Sequence, residues 1–133
     1  MALMTKEQAR LLPPLKLAFI GDTVCDLIVR TRLMFTDAGV SALHTRATAT
    51  VNARAQAAQL DAVLHLLDED EHDIVRRARN AHPGRAIPQH ATREEYMKAT
   101  GFEALMGYLY LTGQTRRAQT LFELGCLKEN ENA

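Results

Sequence analysis

The chain has 133 residues, 47% of them apolar and 24% charged, with 16 basic and 16 acidic side chains and a formal net charge of +0. That length suits one domain with a buried core, and the balance of apolar and charged residues excludes a disordered chain. Neutrality removes any bulk electrostatic reason to bind a polyanion, so local charge must carry such an argument.

Residues 1–10 are polar and contain no apolar core of a signal peptide. The apolar stretch 15–34 is interrupted by Lys16, Asp22, Asp26, Arg30 and Arg32, which argues against a membrane span. A cytoplasmic setting without a membrane partner is expected. The first helix should open at Pro13 and Pro14, which suit a first turn, and reach about Met34 before Thr36, Asp37 and Gly39 break it. Cys25 within it, like the distant Cys126, has no zinc or redox spacing and reads as a buried free thiol.

A second helix is predicted from Ser41, as N-cap, through the alanine-rich run to Leu60, with Val63, Leu64 and Leu67 continuing its apolar face. The third spans 68–79, acidic at its start and basic at its end, as the helix dipole favours. Residues 80–91, with Pro83, Gly84 and Pro88, form a loop. Thr92 and Glu95 make a capping box that opens a fourth helix, ended near Thr112 by Gly113. The last helix runs from about Gln114 to Leu124 and stops at Gly125, with 128–133 as a loose tail and Arg116 and Arg117 as a solvated helix end. Strand-like alternation is lacking, so the fold is predicted to be all-α and a single domain.

Two acids stand where acids are costly. Asp22 is flanked by Phe19, Ile20, Val24 and Cys25, and Glu103 by Phe102, Ala104, Leu105 and Met106. A carboxylate in such a helix costs several kcal/mol, roughly, unless it is paired, exposed or bound to metal. Gly21 and Gly107 lie inside the same two helices, where glycine costs about 1 kcal/mol relative to alanine. They suggest that the backbones cross closely there and bring the acids together. Asp26, one turn after Asp22, could add a direct or outer-shell oxygen. Oxygen donors without His or Cys point to magnesium or manganese. The bland alternative pairs Asp22 with Arg54 and leaves Glu103 in solvent; spacing alone does not decide between the two.

The run Leu17-Ala18-Phe19-Ile20-Gly21-Asp22-Thr23-Val24 resembles the signature helix of the ribonuclease III family. Phe102-Glu103-Ala104-Leu105-Met106-Gly107-Tyr108-Leu109-Tyr110-Leu111 resembles its second acidic motif. The spacing between them, with Asn52-Ala53-Arg54-Ala55-Gln56-Ala57 and Arg77-Ala78-Arg79-Asn80-Ala81, is most similar to the Mini-ribonuclease III branch, which consists of the catalytic domain alone. The resemblance covers about 12–124. It implies a ribonuclease III-type helical fold and a homodimer with Phe19 packed across the interface. It also implies hydrolysis of double-stranded RNA with Mg2+, or Mn2+ in its place, held by Asp22 and Glu103 as the catalytic residues. The implied substrate is the precursor of 23S ribosomal RNA, with a ribosomal protein presenting it as a candidate helper. Classical members carry further acids where this chain has Leu15, Ala18 and Thr100, so water and RNA phosphate should fill more of the metal shell. The competing reading is a non-catalytic RNA-binding ribosome-assembly dimer of the same fold.

Between 74 and 93 stand Arg76, Arg77, Arg79, Arg85 and Arg93, with His82 and His90 and no acid. This is the candidate RNA-binding segment, Arg76, Arg77, Arg79, His82 and Arg85 above all, because duplex RNA is gripped mainly through phosphates and 2′-hydroxyls. For any one of Arg76, Arg77 and Arg79, complementing a helix C-terminus is an equally good account.

Overall fold

The computed structural model describes residues 1–81 and 90–131, and the side chains up to 127. Among the described residues there are seven α-helices and no strand: α1 (Lys6–Leu11), α2 (Pro14–Leu33), α3 (Val40–Thr50), α4 (Ala53–Val63), α5 (Glu69–Arg79), α6 (Arg93–Leu111) and α7 (Thr115–Glu131), with a 3-10 turn at Leu64–Leu66. No helix among them is long and apolar enough to cross a membrane.

The core is built around α6, which packs on α2, α4 and α5, while α7 lies mainly against α4. From Ala99 to Leu109 every residue of α6 is buried except Glu103. A helix apolar on all sides belongs at the centre of a fold, and Glu103 is its half-buried exception. α2 buries Leu17, Ala18, Gly21, Val24, Cys25, Ile28 and Val29, a stripe at helical spacing. Its outer face shows Phe19, 81% exposed, and Leu27, 62% exposed.

The predicted helices at Pro14, Asp68 and Thr92 are found. Asp68 and Thr92 each close a full capping box, with Glu71 and Glu95, and Gly113 ends α6 at φ +76. Three boundaries differ from expectation. The segment from Ser41 to Leu60 is two helices, because Asn52 serves both. Its Oδ1 accepts from Ala55 N at 2.9 Å to start α4, and its Nδ2 donates to Thr48 O and Ala49 O at 2.9 Å to finish α3. Gly125 does not stop α7, which continues to Glu131. A Cβ there would stand 3.0 Å from the Gln59 Cβ, so the glycine serves a tight α4–α7 seam. Finally, α1 forms in a region left without structure, capped by Thr5 and Gln8 and held by Arg10 to Asp70 at 2.7 Å.

Arg117 is no solvated helix end. Its guanidinium grips the Glu71 carboxylate with Nε at 2.6 Å and Nη2 at 2.7 Å, and Nη2 also donates to Leu66 O at 3.0 Å. Glu71 is 1% exposed, so loss of its partner would strand a buried charge. Arg117→Ala is expected to cost about 2–3 kcal/mol, discounted for the partial solvation of Arg117 itself. Arg116→Ala, one exposed residue away, should change stability by less than about 0.5 kcal/mol. Urea unfolding of the two variants side by side reads the difference.

Candidate active site

α2 and α6 cross backbone to backbone. A Cβ placed on Gly21 would stand 1.6 Å from the carbonyl oxygen of Glu103 itself and 3.0 Å from Gly107 N, and one on Gly107 would stand 2.0 Å from Leu17 O. The residue preceding Asp22 therefore touches the main chain of Glu103. Asp22 emerges into solvent beside this crossing, Glu103 is half-buried, and Asp26 is half-buried one turn along α2.

Cys25 reports the same convergence from inside. Its thiol is 0% exposed, and its pKa is pushed well up, first by burial and then by the negative charges of Glu103, Asp22 and Asp26, with an opposing contribution from a contact with the Gln56 side chain. Three carboxylates from two helices thus act on one sulfur, and the thiol keeps its proton. A protonated, buried thiol is no metal ligand, so the polar groups open to solvent here are carboxylate oxygens. That donor set fits a hard divalent cation. No group of three or more His, Cys, Asp or Glu side chains placed to share a metal ion occurs among the described residues, so Asp22, Glu103 and Asp26 do not form one close three-ligand cluster. Thr100, at the position of an acid in the resembled motif, donates its hydroxyl to Tyr96 O at 3.0 Å and turns away from this function.

No ion pair joins Asp22 to Arg54, an exposed residue in the first turn of α4, among the described residues. Of the candidate RNA-binding residues, Arg76 pairs with Asp73. Arg77 turns inward to Arg10 O at 2.9 Å, with Asp73 at 3.8 Å. The Arg79 Cγ lies 3.0 Å from where a Cβ of Gly101 would be, and Arg79 makes no ion pair among the described residues. His82 and Arg85 lie outside the described residues. Arg30 and Arg32 on α2, Arg46 on α3 and Arg54 on α4 are each exposed and make no ion pair among the described residues, and residues 27–60 hold these four arginines against the single acid Asp37.

The Ribonuclease III domain family model matches residues 15–114, a span that contains both acids. The chain is 44% identical over 123 residues to a Mini-ribonuclease 3 of Thermoanaerobacter sp., covering 92% of this chain and 86% of that one. It is 46% identical over 115 residues to that of Symbiobacterium thermophilum, covering 84% and 86%. The crystal structure of protein FN1578 from Fusobacterium nucleatum superposes with a TM-score of 0.81 at 28% identity, covering 90% of this chain and 96% of that one. With its helical fold and both acidic motifs inside the matched span, the chain belongs to the ribonuclease III family, in its Mini-ribonuclease III branch.

Proposed function

We propose that this endoribonuclease matures the ends of the 23S ribosomal RNA precursor in the cytoplasm, cutting a double-stranded stem with magnesium held by Asp22 and Glu103. The observation that carries the reading is the contact of Gly21 with the Glu103 backbone, which supports a common role for two acids from distant parts of the chain. A magnesium ion held there by Asp22 and Glu103 would supply Lewis-acid polarisation of the scissile phosphate and of the attacking water. Asp22 and Glu103 supply the negative charge that holds the ion, and no protein nucleophile is required. The assay that tests the reading is magnesium-dependent cleavage of a duplex RNA built on the precursor stem. A protein that binds this RNA in calcium but never cuts it in magnesium would instead be the non-catalytic assembly factor.

The unit of action is a homodimer. Phe19 stands exposed on α2 and belongs, by family likeness, to the interface. A groove between α2 and α7, lined by Val24, Leu27, Ile28, Tyr110 and Ala118, offers an apolar surface near it. A ribosomal protein that presents the stem remains a candidate partner.

RNA is held by arginines that the fold leaves without acidic partners. Arg79→Ala and Arg46→Ala are each expected to weaken duplex binding and to reduce the slope of log affinity against log salt by about 1. Arg77→Ala, whose guanidinium is engaged with Arg10 and Asp73, should leave that slope unchanged. Filter binding in calcium across a salt series measures all three, and an unaltered slope for Arg79→Ala takes α5 out of the RNA interface.

A further inference from the structure

One face of α5 carries a cluster of polar side chains that the cleavage chemistry does not use. His72, Arg76, Arg79 and Asn80 follow one another at the spacing of a single helical face. They line a cleft of about 310 Å³ whose other walls are Val75 and Leu64, room enough for a phosphate group and several waters. Among the described residues no acid lines it. Arg76 is engaged with Asp73, but the side chains of His72, Arg79 and Asn80 make no hydrogen bond or ion pair among the described residues.

Arg79 is the member that the fold holds in place. Its side chain is half-buried, and its Cγ and the Val75 Cγ1 fill the space that a Cβ of Gly101 would need, 3.0 and 3.2 Å away. Gly101 lies well inside α6, where glycine costs about 1 kcal/mol relative to alanine. The glycine lets the arginine stem lie against α6, so that less freedom is left to lose when the guanidinium binds. Complementing the dipole of α5 accounts for basic side chains in its last turn. It does not account for His72, two turns earlier, or for the neutral Asn80 in the same cleft. An arginine fork, an imidazole N–H and an amide NH2 are donors, and a phosphate group, with its charge spread over several acceptor oxygens, matches that set.

We propose that this cleft seats one phosphate group, with Arg79, held against Gly101, as its anchor and His72 and Asn80 as further donors. The inference deepens the reading of RNA binding given above and rests on it where the phosphate belongs to an RNA strand. Free phosphate is the other source of the same chemistry.

Two experimental arms separate the sources. In the first, duplex RNA binding in calcium is measured for His72→Ala and Asn80→Ala, each made in wild type and in Arg79→Ala. His72 and Asn80 are exposed, so these variants should fold as wild type does. Each is expected to weaken binding about fivefold in wild type and less than about twofold where Arg79 is already gone, because side chains that hold one group do not act additively. Loss of the neutral Asn80 amide should leave the salt slope at its wild-type value, since no charge is removed. In the second arm, RNA-free protein without calcium is titrated with inorganic phosphate at constant ionic strength, and the Asn80 side-chain amide is followed by nuclear magnetic resonance. A saturable shift is expected in wild type and none in Arg79→Ala. Coupling in the RNA arm assigns the cleft to a strand phosphate, and a phosphate shift without coupling assigns it to free phosphate. Equal losses in both Arg79 backgrounds, or no loss in either, together with no phosphate shift, overturn the proposal. A wild-type protein that binds no duplex removes the RNA reading instead, and the phosphate arm then decides the cleft by itself.

Discussion

Asp22→Asn and Glu103→Gln should each slow magnesium-dependent cleavage of duplex RNA by about a thousandfold or more, which corresponds to roughly 4 kcal/mol of barrier, with RNA binding in calcium kept. Both changes preserve shape and remove only charge. Asp22 is exposed and Glu103 half-buried, so neither substitution opens a cavity, and stability should move by less than about 0.5 kcal/mol. A second readout does not depend on catalysis. Because Glu103 and then Asp22 follow burial among the causes that raise the Cys25 pKa, each variant should lower the pH at which that thiol ionises, Glu103→Gln more than Asp22→Asn. Burial still acts in both, so the thiol stays above its ordinary value. The protonated thiol is the form the fold favours, and the stability it contributes is present below the unfolded-state pKa and lost as pH rises through the folded one. Wild-type cleavage by either variant would remove the acid from the site, and an unmoved thiol titration would separate it from Cys25.

How much of this was visible beforehand depended on whether a residue's role is local or made by distant packing. Asp68 and Thr92 announce their helices because a capping box is complete within four residues. Pro14 does so through its fixed φ, and Gly113 through its freedom to take a positive one. Asn52 is readable on the same terms, but it stands inside an alanine-rich run whose helix propensity is high on both sides. Gly125 misled in the opposite way. A glycine in the last turns of a helix is usually a stop, and only the presence of Gln59 from α4 shows that it is needed for close approach. Arg117 could not have been assigned from its neighbours, since its partner Glu71 is 46 residues away. Asp22 and Glu103 stand out in the sequence because two costly features coincide twice, an acid and a glycine inside an apolar helix.

Gly21→Ala and Gly107→Ala should be the most damaging single-methyl changes in the molecule. The added carbon at Gly21 would sit 1.6 Å from Glu103 O and 2.5 Å from its carbonyl carbon, and at Gly107 it would sit 2.0 Å from Leu17 O. These neighbours are main chain in the middle of long helices, so no side chain can rotate away, and α2 and α6 must separate by more than about an ångström to restore ordinary contact. Alanine gains about 1 kcal/mol over glycine as a helix former. Overpacking typically costs about 1–3 kcal/mol and here falls at its upper end or beyond, for a net loss of about 2 kcal/mol or more in urea unfolding. Gly125→Ala is the comparison, since its nearest contacts of 3.0–3.2 Å need only a few tenths of an ångström of yielding, and the α4–α7 seam it serves holds no acid of the pair. Cleavage should discriminate more sharply than stability. Displacement of a reacting group by about 1 Å costs on the order of a hundredfold in rate, and the same separation that relieves Gly21→Ala carries Glu103 away from Asp22. A folded Gly21→Ala protein with full activity would mean that the spacing of the two helices does not set the geometry of the acids, and the crossing would then be a packing device alone.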